Sequence, residues 1–483
     1  MKIIFVQLCW IEGLGRFARL AKKRSALPNL GIYYLASVAE KRGHEVEIVD
    51  ADIDNLTVDD IAKYILQNRF DIVGITATSM IFHNAVRLAK LLKENRSKTK
   101  ILIGGVHLNI YKKEVLYDCF DYGFFGESEY TFGNFLEIIE NGVNDFDSMR
   151  GFIYRKDGEV IETPQAQSIM DLDALDFPAM HLMKRDRYVL TFARKYRPKR
   201  VMPIVPTRGC PFKCTFCCEP FLQNTIRYRI PENVVDEIEK WNKELGASHF
   251  WFMESNMTLK RDRIEGICRE IIKRNLKITF EGSTKADLVD RSLLQLMKSA
   301  GLIRISYGLE SGNPEILKLT RKGVKHEDVT NAVKLSDGLG IETNVSAMIG
   351  LPGETKDTIN QTIDFIKNTP QILYTAVSIV NPYYGTELHE WALEGRHGLH
   401  LLENDYSKYS RYESSPVKVN DLGPEDLVRI QKIALLKIHF TPKRILAAIK
   451  MMGFLEMVKI FTNFITVLLK GILKKEKEQR ESL

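Results

Sequence analysis

Four of the chain's seven cysteines fall within "RGCPFKCTFCCEP", residues 208 to 220. Cys210, Cys214 and Cys217 are spaced C-x3-C-x2-C, and Cys218 follows directly. Thiols crowded on one loop point to metal binding or redox chemistry, because the thiolate is both the ligand and the nucleophile. Structural zinc normally takes four ligands, usually as two separated pairs. Cys9, Cys119 and Cys268 are isolated, so no second pair exists. An ordinary four-iron cluster also prefers four thiolates. Three ligands on one tight loop leave one iron without a protein donor, and such an iron can be chelated by the amino and carboxylate groups of a bound amino acid. Cys218 has the wrong spacing to join the set and reads as a buried or spare residue. A zinc or redox thiol cluster is the alternative.

A chain of 483 residues is too long for one ordinary core, so two or three domains must carry this loop. Its apolar fraction of 45% and charged fraction of 27% are those of a globular protein. The odd, clustered cysteines differ from a secreted disulfide framework and favour a reducing, cytoplasmic setting. The opening "MKIIFVQLCWIEG" suits a first strand better than a signal peptide, so export is not expected. The net charge of +7 is modest, and no basic run is interleaved with stacking aromatics, so nucleic acid is set aside as a partner.

Residues 1–150 alternate β-branched runs ("KIIFVQL", "HEVEIVDAD", "DIVGITATS", "KILIGGVH") with amphipathic stretches. That pattern implies an α/β doubly wound parallel sheet, whose ligands sit beyond the carboxyl ends of the strands. Two such ends are turns of small residues, Thr76 to Ser79 and Gly104 to His107, which let a large ligand approach the backbone. Residues 151–195 read as a hairpin and an acidic linker. From 196 to 395 come six strand candidates, "VMPIVPT", "SHFWFME", "KITFEGST", "IRISYGLE", "ETNVSAMIG" and "YTAVSIVNP", which imply a partial (β/α)6 barrel. The cysteine loop follows the first of them, on the rim where barrels place their chemistry. Residues 396–483 read as a helical domain ending in a basic amphipathic tail.

The cysteine motif resembles that of radical S-adenosylmethionine (SAM) enzymes, and other stretches resemble the same family at matching places. The resemblance implies a 4Fe-4S cluster on Cys210, Cys214 and Cys217, a SAM-derived 5′-deoxyadenosyl radical, and Phe216 against adenine. "FWFMESNMT" implies Glu254 at the methionyl amino group, and "STKAD" implies Ser283 or Lys285 at the carboxylate. "YGLESG" implies Glu310 at a ribose hydroxyl, and "MIGLPGET" implies that the backbone at Gly350 and Pro352 faces adenine. Each stretch taken singly also fits a turn or a salt bridge; their joint order over about 180 residues carries the assignment.

The N-terminal region resembles the cobalamin-binding domain that precedes this barrel in one large class of the family, and the two resemblances together span residues 1 to about 395. They imply corrin contacts at Thr76, Thr78, Ser79, Gly104, Gly105, His107 and Glu127. Many cobalamin folds carry Asp-x-His-x-x-Gly after the first strand; here that place reads "CWIEGLG", so cobalt would have no protein imidazole below it. A domain that keeps the fold without the corrin is the alternative.

The implied activity is methylation of an unactivated carbon on a hydrophobic small molecule or lipid, driven by a one-electron reductant of the flavodoxin or ferredoxin type. Ring closure or rearrangement, with or without cobalamin, and a non-catalytic cobalamin sensor are the other readings. A methylthiotransferase is disfavoured, because its extra cluster needs three N-terminal cysteines and this region has Cys9 and Cys119. Between Lys443 and Lys477, basic residues flank Ile, Leu, Met and Phe, a pattern that fits either a cap over the barrel or peripheral contact with the inner face of a membrane.

Overall fold

The computed structural model describes residues 1–9, 28–95, 98–143, 145–184, 188, 201–219, 225–410, 412, 414–453, 458 and 462. Five short apolar runs pair in parallel: Lys2–Gln7 (β1), Glu45–Asp50 (β2), Ile72–Thr76 (β3), Lys100–Gly104 (β4) and Tyr122–Phe124 (β5), in the order β2-β1-β3-β4-β5. Alternate residues of β1 feed two cores. Ile3 and Phe5 pack with helices Leu30–Lys41 and Glu129–Glu140, while Ile4 and Val6 pack with Val58–Asn68 and Phe82–Glu94. Burial on both faces explains why β1, β3 and β4 carry little polar alternation, whereas the edge strand β2 alternates Glu45 and Glu47 with Val46 and Ile48.

The hairpin expected after residue 150 forms as Phe152–Lys156 (β6) and Glu159–Glu162 (β7). It does not stand apart as a linker: β6 pairs antiparallel with β5, so the first sheet has seven strands and runs to residue 162. The reason is apolar. Phe152 is fully buried among Tyr122, Phe124, Phe135 and Phe146, and the sheet edge would otherwise leave those rings uncovered.

All six strands expected in the second series form. Val201–Ile204 (β8) is followed by the short rim pair Thr207–Arg208 (β9) and Arg227–Tyr228 (β10). Then come His249–Phe252 (β11), Thr279–Thr284 (β12), Leu302–Glu310 (β13), Glu342–Ile349 (β14) and Tyr374–Ile379 (β15), in the parallel order β15-β14-β13-β12-β11-β8. The helices between them start and stop by ordinary signals. Pro231 opens one, Gly246 at φ 62° ends it, and Asn313 caps another through the Ile316 N–H. Near the strand starts a polar ladder crosses the barrel. His249 Nε2 lies 3.2 Å from Glu281, whose other oxygen is 3.2 Å from Arg304, and Arg304 reaches Glu342 at 3.0 Å.

β15 is the last strand of this open sheet, and helix Pro424–His439 covers it. Leu427, Ala434 and Ile438 are buried, Gln431 donates to the Val377 carbonyl at 2.9 Å, and His439 Nε2 lies 3.3 Å from the Thr375 carbonyl. Edge backbone groups that would invite another strand are thereby occupied. Before this helix, the region expected to be helical holds an antiparallel pair, Leu399–Leu401 (β16) and Val417–Val419 (β17), formed because Leu399, Val417 and Val419 alternate inward. In the next helix, Pro442–Met452, the buried Arg444 donates to the carbonyls of Ile366, Thr369, Ile372 and Ile438. Among the described residues no helix is long and apolar enough to cross a membrane. Nearly all of the basic tail beyond Gly453 lies outside the described residues.

Candidate active site

The cysteine loop leaves the rim at β9, where Gly209 at φ 85° turns the chain. The Cys217 N–H bonds to the Cys214 carbonyl at 3.1 Å, a tight turn that sets both thiols on one side. Thr215 pins the loop in two directions: its N–H donates to the Thr320 carbonyl at 3.1 Å, and its carbonyl accepts from the Leu388 N–H at 3.0 Å. Cys210 is buried, Cys214 and Cys217 are half-buried, and all three line one cavity with Phe212 and Phe216. Burial raises the Cys214 thiol and pushes Cys217 up to about 11, so iron must displace protons to bind there. Among the described residues no three His, Cys, Asp or Glu side chains are arranged for a single metal ion. Three thiols on one cavity suit a polynuclear cluster that keeps one iron for an outside ligand.

The cavity encloses about 210 Å³ and opens to solvent at its mouth. Its wall is built by side chains that alternate inward on adjacent strands: Ser283 on β12, Ser306 on β13 and Ser346 on β14. Glu310 ends β13 at φ 64°, in the left-handed region that a non-glycine residue enters at a cost, beside a register shift against β14. Lys322 donates to this carboxylate at 2.7 Å and is half-buried beside it. Lys285 lies 4.0 Å from the centre of the Phe212 ring, a cation–π contact. Asn256 accepts from the Lys285 N–H at 3.0 Å, while its amide nitrogen lies 3.5 Å from Cys210 Sγ. Serine hydroxyls, one carboxylate, two ammonium groups and two phenyl rings around three thiols suit a zwitterionic nucleoside with a sulfonium.

Phe216, Ser283, Lys285 and Glu310 all line this one cavity. Glu254 does not. It is turned away from the cavity, fully buried, with Arg263 at 2.7 Å, and the next two residues, Ser255 and Asn256, face the cavity instead. Burial raises its carboxyl although Arg263 opposes that shift. Gly350 and Pro352 are also outside the cavity lining. Gly350, at φ 86°, shapes a turn whose N–H donates to the buried Glu354 at 2.7 Å, and the Leu351 N–H joins it at 3.0 Å. Sequence reasoning missed Asn256, Ser306, Lys322 and Ser346. For the two serines the signal was present: each is a small polar residue between apolar neighbours, Ser306 between Ile305 and Tyr307 and Ser346 between Val345 and Ala347.

At the carboxyl edge of the first sheet, Thr76, Gly104 and Gly105 are half-exposed and Thr78 is exposed, forming an open shelf. A Cβ on Gly105 would lie 2.7 Å from the Ala77 carbonyl and 2.8 Å from Thr76 Oγ1, so the two turns pack too closely for a side chain. A shelf of backbone and small side chains fits a broad, flat corrin. His107 points inward, between the rings of Phe82 (4.0 Å) and Tyr111 (4.7 Å), with Nδ1 3.0 Å from Ser79 Oγ. Burial lowers it to about 4, so it is neutral, and its Nε2 has no partner among the described residues. Glu127 corrects the expectation of a corrin contact. It is held by Arg227 at 2.6 Å and Arg208 at 3.4 Å, at the junction of the sheet and the barrel.

Comparison with known proteins agrees with this geometry. The family model described as the radical SAM superfamily matches residues 204–366, and that described as the B12 binding domain matches residues 18–136. An uncharacterized methyltransferase of Pyrococcus horikoshii is 30% identical over 421 residues, covering 86% of this chain and 88% of the relative. The anaerobic magnesium-protoporphyrin IX monomethyl ester cyclase of Rubrivivax gelatinosus is 30% identical over 345 residues, 69% of this chain and 61% of the cyclase. Among solved structures, the radical SAM methyltransferase TsrM from Kitasatospora setae, with cobalamin and a 4Fe-4S cluster bound, superposes with a TM-score of 0.69 at 18% identity, covering 91% of this chain and 89% of that one. The chain belongs to the cobalamin-dependent, methyltransferase-type radical SAM enzymes, and its cofactors are a 4Fe-4S cluster, SAM and cobalamin.

Proposed function

We propose that the protein methylates an unactivated carbon of a hydrophobic small molecule or lipid. The observation that carries this reading is the thiol triad opening onto a polar, aromatic-lined cavity, joined to a shelf of small residues at the carboxyl edge of the first sheet. When bound, the reduced cluster supplies an electron to the sulfonium of SAM, and cobalamin supplies a transferable methyl group. The chain's residues bind and orient. Cys210, Cys214 and Cys217 would hold the cluster and leave it open to the amino acid end of SAM, with Asn256 steadying the first thiol. Ser283 and Lys285 meet the carboxylate, Glu310 the ribose hydroxyls under the control of Lys322, and Phe216 the adenine. Thr78, Ser79, Gly104 and Gly105 carry the corrin edge, with Thr76 and His107 supporting that shelf. A one-electron donor of the flavodoxin or ferredoxin type reduces the cluster.

The substrate class is supported by a cluster of rings where the first sheet meets the barrel. Tyr111 lies 5.2 Å from Tyr384 and 5.8 Å from Tyr406, and Tyr384 is exposed. A second reading, ring closure, is favoured by the cyclase relative. Anaerobic incubation of the loaded protein with a reductant, methyl-labelled SAM and lipid-soluble extracts decides between them. Label in a product supports methylation, and an unlabelled product lighter by two hydrogens supports ring closure. Absence of both, with no 5′-deoxyadenosine formed, refutes the reading. Peripheral membrane contact is tested by liposome flotation of the full chain against a truncation after Gly453, which keeps Arg444 in place. Equal flotation removes the membrane from the account.

A further inference from the structure

The barrel and the first sheet meet at a buried quartet of charges. Arg208 and Arg227 stand opposite each other in register on β9 and β10, closing the base of the cysteine loop. Both reach across to the turn that follows β5. Arg208 pairs with Glu129 at 2.5 Å and Glu127 at 3.4 Å, and Arg227 pairs with Glu127 at 2.6 Å. The side chains are 2% to 11% exposed, so the pairs are largely shielded from solvent. Two acids and two bases leave no uncompensated charge. Burial pushes the Glu127 carboxyl up, but Arg227 and Arg208 outweigh it and hold the group below the usual range. The linker joins as well: the Ile169 N–H donates to Glu127 at 2.7 Å, and Arg227 donates to the Ile169 carbonyl at 2.9 Å. Arg208 also lies over the ring of Tyr34, 5.3 Å from its centre.

The same turn is tied to the shelf. The Gly126 N–H donates to Asn109 Oδ1 at 2.7 Å, and Asn109 belongs to the helix that begins immediately after Gly105. An unbroken path therefore runs from the base of the cysteine loop, through Arg208 and Arg227, to Glu127 and Glu129, and by Gly126 and Asn109 to the turn at Gly104–Gly105. No residue on it between the loop and the shelf lines the barrel cavity.

We infer that Glu127 and Glu129 are positioning residues, which fix the cysteine loop relative to the cobalamin shelf and so set the approach of the two halves of the reaction. The inference rests on the reading of the shelf as the corrin site. Chemistry confined to the barrel needs only the cavity, whereas passing the sulfonium methyl of SAM to the reduced corrin metal needs both halves in line. In that transfer the metal supplies the bonding electron pair and the neutral thioether, S-adenosylhomocysteine, leaves.

The test uses the full chain with Glu129→Gln, which keeps shape and helix, and Glu129→Ala, which removes the contact. With cluster and cobalamin loaded, and titanium(III) citrate as reductant, 5′-deoxyadenosine formation is expected to stay within about twofold of wild type. The single-turnover rate of S-adenosylhomocysteine formation is expected to fall about ten- to a hundred-fold, the scale of a displacement near 1 Å. Without cofactors, hydrogen exchange is expected to quicken in Glu129→Ala at residues 207–208, 227–228 and 126–131, and to stay unchanged in β12 to β14. Equal changes in the two products, or no change in either, overturn the inference, as does unaltered exchange at those segments. If wild type forms no S-adenosylhomocysteine, the functional reading fails and the exchange experiment alone decides the positioning role.

Discussion

Glu354 offers a sharp test because its effect is independent of cofactors. Its side chain is fully buried, one oxygen accepts from the N–H groups of Gly350 and Leu351 at 2.7 and 3.0 Å, and the other has no partner among the described residues. Burial outweighs those two bonds and pushes the carboxyl up to about 8, so at neutral pH it is a neutral acid. Glu354→Gln keeps the accepting oxygen and should alter stability by less than about 1 kcal/mol. Glu354→Ala orphans two buried N–H groups at about 1–3 kcal/mol each. A loss near 4 kcal/mol corresponds to roughly 8–16 °C in the melting of a domain of about 200 residues. The pH dependence has a definite sign. From the ordinary carboxylate range up to about 8 the folded chain holds a proton that the unfolded chain has released, so stabilisation present at low pH is lost as pH rises. Between pH 6 and 8 that amounts to about 2 kcal/mol. Differential scanning fluorimetry at both pH values should show this loss in wild type and a correspondingly smaller one in Glu354→Gln. If Glu354→Gln melts as low as Glu354→Ala, or keeps the wild-type pH slope, the reasoning is wrong.

Replacing Cys210, Cys214 or Cys217 by Ala should each abolish iron retention and 5′-deoxyadenosine formation, whereas Cys268→Ala, in the core behind the barrel, should keep full iron content by metal analysis. Glu254→Gln leaves Arg263 buried beside a neutral partner and should cost about 3–5 kcal/mol of stability by melting, while the KM for SAM stays within twofold. Gly105→Ala forces a side chain into a backbone at φ 100° and against the Ala77 carbonyl, so cobalamin retention, read from the visible spectrum, should fall at least tenfold. A variant that binds the corrin normally would refute the shelf.

The outline of both sheets and the cysteine triad were legible in the sequence because they rest on local signals, namely apolar runs bounded by turns and a three-thiol spacing. Contacts set by distant segments were not. In "FMESNM" three polar residues follow β11, and nothing local tells which of them face the cavity; Arg263, nine positions later on a helix, draws Glu254 away and leaves Ser255 and Asn256 to do so. Glu127 was legible as a polar residue after a glycine turn, but its charged partners, Arg208 and Arg227, lie far along the chain, Arg227 100 positions away. The pair β16–β17 carries period-2 alternation in runs of three residues, too short to separate from the surrounding coil.

The cover on β15 has a bearing on how the chain comes to be made. Gln431, His439 and Arg444, which satisfy carbonyls of that last strand and its neighbouring helix, leave the ribosome long after the strand itself. Until they emerge, a finished barrel carries a raw flank, and two nascent copies on one message could zip together along it. Prematurely terminated products lacking the last sixty residues should therefore be the aggregating species in cells.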